Sequence, residues 1–352
     1  MLIRQRKDGE IVQSALSEED LALIHALQIW PRASWSALAP ILAASPITLA
    51  NRWSRLRDAG LAWVTAVPVR GLYSGYTSVA LVEVDCARDL FDDVVARLER
   101  MEHVVAIEHA ARGRDLLLTV SATSFDTLAA FLVDELNRIP GVTSSRTHLA
   151  VRVHMEGSQW RLDALDPSQC DAVTTLLRES KAVGEPANVR SAISSRIATL
   201  EEQLAYDGRF TAAELAERLS RPPSTIRRQL TTVLASRHLA IRCEVAQLHT
   251  RWPITVTWWC RLPGVQLQET IAHLRNDGSV RMCMSLTGPS NFAVQAWVSD
   301  MADLMATQAR LEQILHPGEI ADSSVTLRTR KRRNGWLLHP DGRSRGEHTR
   351  LT

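Results

Sequence analysis

Two segments of the chain, Leu38–Arg57 and Leu215–Leu234, share one pattern of residue types, displaced by 177 positions without a gap. In each segment, a helix with leucines four positions apart is followed by a turn, a proline and a second helix rich in hydroxyl and arginine side chains. This is the outline of a helix-turn-helix, whose second helix can lie in the major groove of DNA. Because chance helices rarely share turn residues and core spacing together, the repeat predicts duplicated domains.

The helices of the first copy carry recognisable cap residues. Ser17 is placed to cap the first helix, with Asp20 three positions later in the capping-box position. Ser45 is placed to cap the second helix of the motif, with Pro46 at its first position, where a missing N–H is tolerated. Gly60 follows that helix, at a point where a C-terminal cap requires left-handed geometry. These signals predict where the helices begin and end.

Each helix-turn-helix segment is followed by apolar residues whose spacing changes between that of a strand and that of a helix. From Thr77 to Val153 the order is strand, helix, strand, strand, helix, strand, and the same order recurs from Ile254 to Arg330. This βαββαβ order is typical of a ferredoxin-like fold, in which four strands carry two helices on one face. Because the other face of the sheet must also be buried, we expect dimerisation or stacking of two such units.

We therefore predict an α+β fold with two winged helix-turn-helix domains, each followed by a ferredoxin-like βαββαβ domain. The length of 352 residues suits about two to four domains. The predicted boundaries are 1–67 for the N-terminal helix-turn-helix domain, 68–155 for the first ferredoxin-like effector and assembly domain, 156–190 for a connector, 191–247 for the second helix-turn-helix domain, 248–330 for the second ferredoxin-like domain and 331–352 for a basic C-terminal tail. The basic residues of the tail could add phosphate contacts, and a solvated tail is the alternative.

Composition limits the classes of function. The net charge is only +2, so any affinity for nucleic acid must come from local patches rather than from a global field. The five cysteines lack CxxC spacing, and neither a signal-peptide core nor a long apolar run is present, so we expect a cytoplasmic protein without membrane contact. The sequence also lacks a convergent acid–base pair, a nucleophile triad, a phosphate loop and metal-ligand spacing. We therefore predict no enzyme activity, no cofactor and no metal site.

The motifs and their order resemble the Lrp/AsnC (feast/famine) family of bacterial and archaeal transcriptional regulators, in a long form with two tandem copies. The segments that carry the resemblance are Ser45–Leu49, Gly113–Leu118 and Ile139–Thr143 in the first half, and Ser224–Arg228, Gly288–Asn291 and His316–Gly318 in the second. In that family a helix-turn-helix precedes a ferredoxin-like effector and assembly domain of the RAM or ACT-like type. The resemblance implies a sequence-specific regulator that binds double-stranded DNA, responds to an amino acid or another small metabolite, and forms a homodimer or a higher homo-oligomer.

The exposed start of each predicted recognition helix carries the side chains that we expect to contact DNA. Hydroxyl groups can reach phosphates, and arginines can reach guanine edges. The candidates are Ser45, Thr48, Asn51, Arg52 and Arg55 in the first copy, and Ser224, Thr225, Arg227 and Arg228 in the second. Because the first helix is poorer in arginine at its leading end, we expect the second copy to dominate base readout on an operator with dissimilar half-sites. A purely structural first copy and a solvated arginine face in the second are the alternatives.

The resemblance places an effector pocket near Gly113, Arg114 and Asp115. A glycine turn and its backbone amides could hold the carboxylate of an amino acid there, although an ordinary turn between two strands explains the same residues. The corresponding loop of the second copy contains Gly288 and Asn291, and its change from Asp to Asn weakens the case for a ligand. For the whole chain, the main alternative is a metabolite-binding or assembly protein whose degenerate helix-turn-helix domains bind no DNA.

Overall fold

The computed structural model describes residues 4–5, 11–12, 16–68, 78–111, 113–157, 160–182, 195–235, 239–332 and 335–349. The contacts divide the chain into two compact units, each built from both halves of the sequence. The helical unit contains residues 3–70 and 161–246, and the sheet unit contains residues 71–160 and 247–352. The predicted strand start at Thr77, the breaker run that follows residue 182 and the tail residues Arg333 and Arg350 lie outside the described residues.

The secondary structure alternates short helices and strands. The helices are α1 (Glu18–Ile29), α2 (Trp35–Leu38), α3 (Pro46–Asp58), α4 (Phe91–Arg100), α5 (Phe125–Ala130), α6 (Pro167–Ala182), α7 (Ser195–Tyr206), α8 (Ala212–Arg218), α9 (Pro223–Ala235), α10 (Leu267–Arg275) and α11 (Met301–Leu315). The strands are β1 (Arg4–Gln5), β2 (Ile11–Val12), β3 (Ala62–Pro68), β4 (Ser78–Cys86), β5 (Val104–Ala110), β6 (Leu116–Ala122), β7 (Val142–Met155), β8 (Leu239–Val245), β9 (Ile254–Arg261), β10 (Val280–Leu286), β11 (Phe292–Val298), β12 (Glu319–Lys331), β13 (Trp336–Leu338) and β14 (Ser344–His348). None of the described helices is long and apolar enough to cross a bilayer.

The predicted caps of the first copy are confirmed. Ser17 and Asp20 form a capping box at the start of α1. The Ser45 hydroxyl accepts the N–H of Thr48, in the first turn of α3, and Pro46 occupies the first helical position. Gly60 follows α3 with φ of 67°, a conformation that a side chain makes unfavourable. Local sequence therefore determines the ends of these helices.

The helical unit repeats itself with the displacement seen in the sequence. The helices α1 and α3 and the strand β3 begin and end 177 positions before α7, α9 and β8. The strands β3 and β8 pair antiparallel, with Thr65 opposite Arg242, and these two residues are themselves 177 positions apart. An antiparallel pair centred on equivalent residues indicates a local two-fold axis. The two copies therefore form a pseudo-dimer within one chain.

A reciprocal pair of arginines, which we call the arginine clasp, joins the two copies. Its members, Arg32 and Arg209, occupy equivalent positions of the repeat. Each guanidinium group donates hydrogen bonds to the two carbonyl groups that flank the other arginine. The acceptors are Gly208 and Phe210 for Arg32, and Pro31 and Ala33 for Arg209. A charged donor that satisfies two buried carbonyl groups is a strong hydrogen-bonding arrangement, and here it occurs twice.

The segment that precedes α6 packs on α1 through side-chain acceptors. His25 Nδ1 accepts the backbone N–H groups of Ala164 at 3.3 Å and Leu165 at 3.1 Å. Gln28 Oε1 accepts the N–H of Leu162 at 2.7 Å. Burial, assisted by the nearby positive charge of Arg161, lowers the pKa of His25 to about 4. The neutral imidazole is thus the form that the folded protein requires.

We predict that acid destabilises the helical unit through His25. The pKa of about 4 in the folded chain lies below the ordinary value of 6.5, so the stabilisation is complete above pH 6.5 and is lost as the pH falls toward 4. His25→Asn keeps an acceptor near the Nδ1 position without titrating and should reduce this pH dependence. Urea unfolding between pH 7 and pH 4 measures the effect. An equal pH dependence in both proteins would contradict the role assigned to His25.

The sheet unit contains two βαββαβ halves that close on each other. The first half has the strand order β5-β6-β4-β7 and the second has β10-β11-β9-β12, which is the order expected of a ferredoxin-like fold. The long strand β7 pairs with β4 and then with β10, while β12 pairs with β9 and then with β5. The last strand of each half therefore also pairs with a strand of the other half. As a result, the eight strands form a closed ring of neighbours.

The sheet faces are buried on both sides. On their outer faces, α4 and α5 cover the first half and α10 and α11 cover the second, with separate apolar cores. The inner faces share a third cluster that includes Leu81 and Leu117 from the first half and Trp259, Met282 and Met284 from the second. The expected stacking of two ferredoxin-like units thus occurs within a single chain.

The predicted tail is not a loose extension in its described part. It adds β13 and β14 to the edge of the sheet beside β12. Lys331 is fully buried, and its Nζ donates to the carbonyl groups of Glu99 at 3.1 Å and Met101 at 2.9 Å. Arg330 and Arg345 pair with the Glu99 carboxylate at 2.8 Å and 3.3 Å. The solvated-tail interpretation is wrong for these residues, because their charged groups bind other groups of the protein.

Candidate nucleic-acid interface and ligand loops

The helix α9 has one apolar face and one polar face. Its buried side chains are Ile226, Leu230 and Val233, which recur at helical spacing. Packing of that face leaves the candidate residues Ser224, Arg227 and Arg228 exposed, whereas Thr225 is half-buried. Within the described part of the chain, no ion pair or side-chain hydrogen bond engages the guanidinium group of Arg227 or Arg228. Two unpaired positive charges therefore project from the first turns of α9.

The helix α3 is oriented in the same way but presents different chemistry. Its buried side chains are Leu49, Trp53 and Leu56. The candidates Ser45, Thr48 and Asn51 are exposed on the opposite side. The Ser45 hydroxyl already accepts the N–H of Thr48 at 3.1 Å, and the two hydroxyl oxygens are 2.8 Å apart. The Ser45 hydroxyl thus caps the helix, and Ile47 exposes 73% of its surface.

The arginine candidates of α3 bind carboxylates of α1. Arg55 donates to Asp20 at 2.5 Å, and the Asp20 side chain is only 3% exposed. Arg52 lies 3.6 Å from Glu19 and 3.9 Å from the same Asp20 oxygen that Arg55 contacts. These contacts hold α3 against the start of α1. Sequence reasoning missed them because the partners are 35 positions apart, which no local periodicity reveals.

The second copy has a different charge pattern at the positions that neutralise α3. The equivalents of Glu19 and Asp20 in the repeat are Arg196 and Ile197, so the carboxylates are absent from the second copy at these positions. The symmetric backbone therefore carries two helices whose arginines have different partners. The positive charges of α3 are largely compensated within the protein, and those of α9 are available.

We predict that the same substitution has unequal effects on the two helices. Arg55→Gln removes the ionic partner of a buried carboxylate and should lower the free energy of unfolding by about 1–3 kcal/mol. Arg227→Gln is the matched control, and it should change that free energy by less than about 0.5 kcal/mol. Urea unfolding followed by circular dichroism measures both. Equal losses would show that Arg55 is not a structural residue.

The loop Gly113–Asp115 lies in the sheet unit with its central side chain turned inward. Gly113 is exposed with φ of 69°, as the turn requires. Arg114 is buried; it contacts the carboxylates of Glu83 and Asp322, and its guanidinium carbon lies 4.1 Å from the Trp259 ring centre. The predicted effector residue Arg114 therefore joins the two halves of the sheet unit. The charge of Arg114 is paired within the protein, whereas Gly113 and Asp115 on either side of it are exposed.

Glu83 contacts two side chains of β7 and one of the loop. Arg146 Nε donates to it at 2.9 Å, and His148 Nε2 lies 3.2 Å from its second oxygen. Burial opposes ionisation of Glu83, but the hydrogen bonds from His148 and Arg146 and the charge of Arg114 outweigh burial and lower the pKa of the carboxyl group. Arg146 also donates to the carbonyl of Gly113 at 2.8 Å. The ionised Glu83 carboxylate thus holds Arg146, and Arg146 in turn holds the loop at the Gly113 carbonyl.

Asp115 and Asn291 perform the same structural task in the two halves. Each directly precedes the third strand of its half. Asp115 accepts the N–H of Cys86 at 2.7 Å, whereas Asn291 accepts the N–H of Leu262 and donates to its carbonyl, both at 2.8 Å. Gly288 begins the second turn with φ of 106°. The change from Asp to Asn adds a hydrogen-bond donor. The side chain in both halves still accepts a backbone N–H at the end of the neighbouring strand. The described residues contain no group of side chains placed to bind a metal ion.

Arg114→Met tests whether this loop is structural. The variant removes the positive partner of a buried carboxylate, so the free energy of unfolding should fall by about 2–4 kcal/mol. Arg138→Met is the control, because the Arg138–Asp134 pair lies on the surface and should contribute less than about 1 kcal/mol. Thermal and urea unfolding provide the measurement. A loss at Arg114 as small as the one at Arg138 would leave the loop free for an effector.

Comparison with known proteins agrees with the architecture of the first half. Residues 79–160 match the family model described as the Lrp/AsnC ligand binding domain. The resemblance to the Lrp/AsnC family is confirmed. An uncharacterized HTH-type transcriptional regulator of Pyrococcus furiosus is 28% identical over 142 residues, which are 40% of this chain and 96% of that protein. The HTH-type transcriptional regulator AldR of Mycolicibacterium smegmatis is 27% identical over 153 residues, which are 41% of this chain and 85% of AldR.

One solved structure resembles almost the whole chain. The siroheme decarboxylase NirDL aligns with a TM-score of 0.52 over 90% of this chain and 93% of its own, at 13% identity. This likeness concerns the fold alone, and it extends over both halves of the chain. The regulators, by contrast, align over less than half of it.

Proposed function

We propose that this chain is a sequence-specific DNA-binding transcriptional regulator with two winged helix-turn-helix domains, in which α9 reads the bases. The observation that carries the proposal is the inequality of the two helices. Arg227 and Arg228 are exposed and unpaired among the described residues, whereas Arg52 and Arg55 contact carboxylates. An unpaired guanidinium group at the start of a recognition helix can donate two hydrogen bonds to guanine O6 and N7. The names of the relatives, all HTH-type transcriptional regulators, support the same function.

In this proposal, α3 contributes to DNA binding but contacts the bases less than α9 does. Its leading turn offers Ser45, Thr48 and Asn51 to the phosphate backbone, and Ile47 exposes an apolar surface. Polar contacts of this kind position a protein on DNA without distinguishing sequences. The pseudo-two-fold axis places the two helices in symmetric environments, so the difference lies in their side chains. An operator with one specified half-site and one degenerate half-site fits this arrangement.

The sheet unit supplies assembly and a metabolite response in this proposal. The match of residues 79–160 to a ligand binding domain supports a small-molecule effector such as an amino acid, with the exposed turn at Gly113 as the candidate position. The effector acts in the cytoplasm on a homodimer or a higher homo-oligomer. Because Arg114 is committed to internal ion pairs, the effector is held by backbone groups rather than by that guanidinium group.

The inequality of the helices predicts unequal effects on DNA binding. Arg227→Ala combined with Arg228→Ala should weaken operator binding by about tenfold or more and should reduce the slope of log Kd against log salt by about 1–2. Arg55→Ala combined with Arg52→Ala is the matched control, and it should weaken binding less once folding is verified by circular dichroism. Fluorescence anisotropy at several salt concentrations measures both. A larger loss in the control would reverse the proposed roles of α3 and α9.

A second function is favoured by one observation. The arginines of α3 serve the protein itself, as they would in a helix-turn-helix that has lost contact with DNA. If α9 also fails to bind DNA, the chain is a metabolite-binding or assembly protein with degenerate helix-turn-helix domains. The salt titration separates the two functions, because DNA binding without sequence preference, or without loss of affinity at higher salt, would exclude a specific regulator.

A further inference from the structure

A cavity of about 500 Å³ opens within the helical unit beside the arginine clasp. Residues of both copies line its wall, among them Arg32, Ser34, Trp35, Ile47, Arg209 and Thr211. The first copy contributes the turn before α2 and the leading end of α3, and the second copy contributes the turn before α8. The cavity therefore adjoins both the contact between the copies and the DNA-facing end of α3.

The cavity wall carries two guanidinium groups that no carboxylate contacts directly among the described residues. Arg32 and Arg209 direct their hydrogen bonds to carbonyl groups, and no described carboxylate lies within 4.0 Å of either guanidinium group. Asp207 and Glu214 act on these charges only from beyond that distance, and Asp207 forms its ion pair with Arg57 at 3.5 Å. Burial lowers the pKa of both clasp arginines, that of Arg209 to about 10. A partly buried cation that no carboxylate contacts directly is stabilised by an anion that enters its surroundings.

The remaining wall of the cavity combines apolar side chains with hydroxyl groups. The Arg209 guanidinium carbon lies 4.0 Å from the ring centre of Trp35, so the indole and the charge form one continuous surface. Ile47 exposes 73% of its surface at the cavity, and Ser224 occupies the equivalent position in the second copy. An exposed isoleucine contributes nothing to phosphate binding, but it can cover the apolar part of a ligand. Hydroxyl groups of Ser34 and Thr211 border the site.

We propose that this cavity binds a small organic anion, a carboxylate joined to a flat apolar body. The carboxylate lies toward Arg32 and Arg209, and the apolar body lies against Trp35 and Ile47. Such a ligand contacts both copies at once and occupies space beside the first turn of α3. This site is separate from the ferredoxin-like halves, where the proposed effector acts. The binding claim does not depend on DNA binding, whereas its consequence for operator affinity rests on the proposed function.

Calorimetric titration of the full chain with benzoate, phenylacetate and indole-3-acetate tests the ligand class. We expect saturable binding of at least one of these carboxylates, with indole-3-acetamide and inorganic phosphate weaker by about tenfold or more because each lacks either the charge or the apolar body. No saturation by any of the three below about 10 mM, or tighter binding of inorganic phosphate, would overturn the proposal. Because the titration contains no DNA, failure of the proposed regulator function would leave this result unchanged.

Ile47→Glu locates the site without disturbing the core, since the side chain is exposed. The new carboxylate repels the ligand anion and should weaken binding by about tenfold. Val265→Glu is the charge-matched control, because Val265 is 95% exposed and belongs to the sheet unit; its affinity should equal that of the unmodified chain. Arg209→Gln should also abolish the preference for the carboxylate over the amide. Unchanged affinity in Ile47→Glu would overturn the proposal.

Discussion

The helical unit depends on the arginine clasp and on the strand pair that it flanks. Because Arg32 and Arg209 are equivalent in the repeat, one duplicated residue closes the contact twice, each time by donating to the carbonyl groups beside its counterpart. The antiparallel pair β3–β8 is centred on the equivalent residues Thr65 and Arg242. The sheet unit uses the same principle, since β7 and β12 each pair with both halves. Duplication thus gives one chain the closed two-fold contacts that other proteins obtain by dimerisation.

Within this symmetric backbone the side chains have diverged. Glu19 and Asp20 compensate the arginines of α3, whereas Arg196 and Ile197 stand at the equivalent positions of the second copy. In the sheet unit, Arg114 of the first half lies between Glu83 of its own half and Asp322 and Trp259 of the second. A homodimer must place identical side chains on both sides of its axis. The single chain is free of that restriction and can carry different side chains on the two sides.

The sequence predicted those features of the fold that depend on residues close together in the chain. The repeat, the βαββαβ order and the caps at Ser45 and Gly60 follow from periodicity and helix-end chemistry, and the structure contains them. The partners of single charges were not predictable, because Arg55 meets Asp20 and Lys331 meets the Glu99 carbonyl only after distant segments have packed. The solvated-tail alternative is wrong for this reason at Lys331 and Arg345, which bind groups of Glu99. A charged residue alone does not reveal whether its partner is a ligand or the protein.

Selection of binding sites by the full chain from a random pool of double-stranded DNA tests most directly whether the two copies have unequal roles. In the proposed function, α9 contacts the bases through Arg227 and Arg228, while α3 contacts the phosphate backbone of the DNA. The selected sequences will then share one conserved half-site that contains guanines, and the flanking half-site will have no consensus. A symmetric palindrome with two equally conserved half-sites would contradict that division of roles, because it would require both helices to read bases alike.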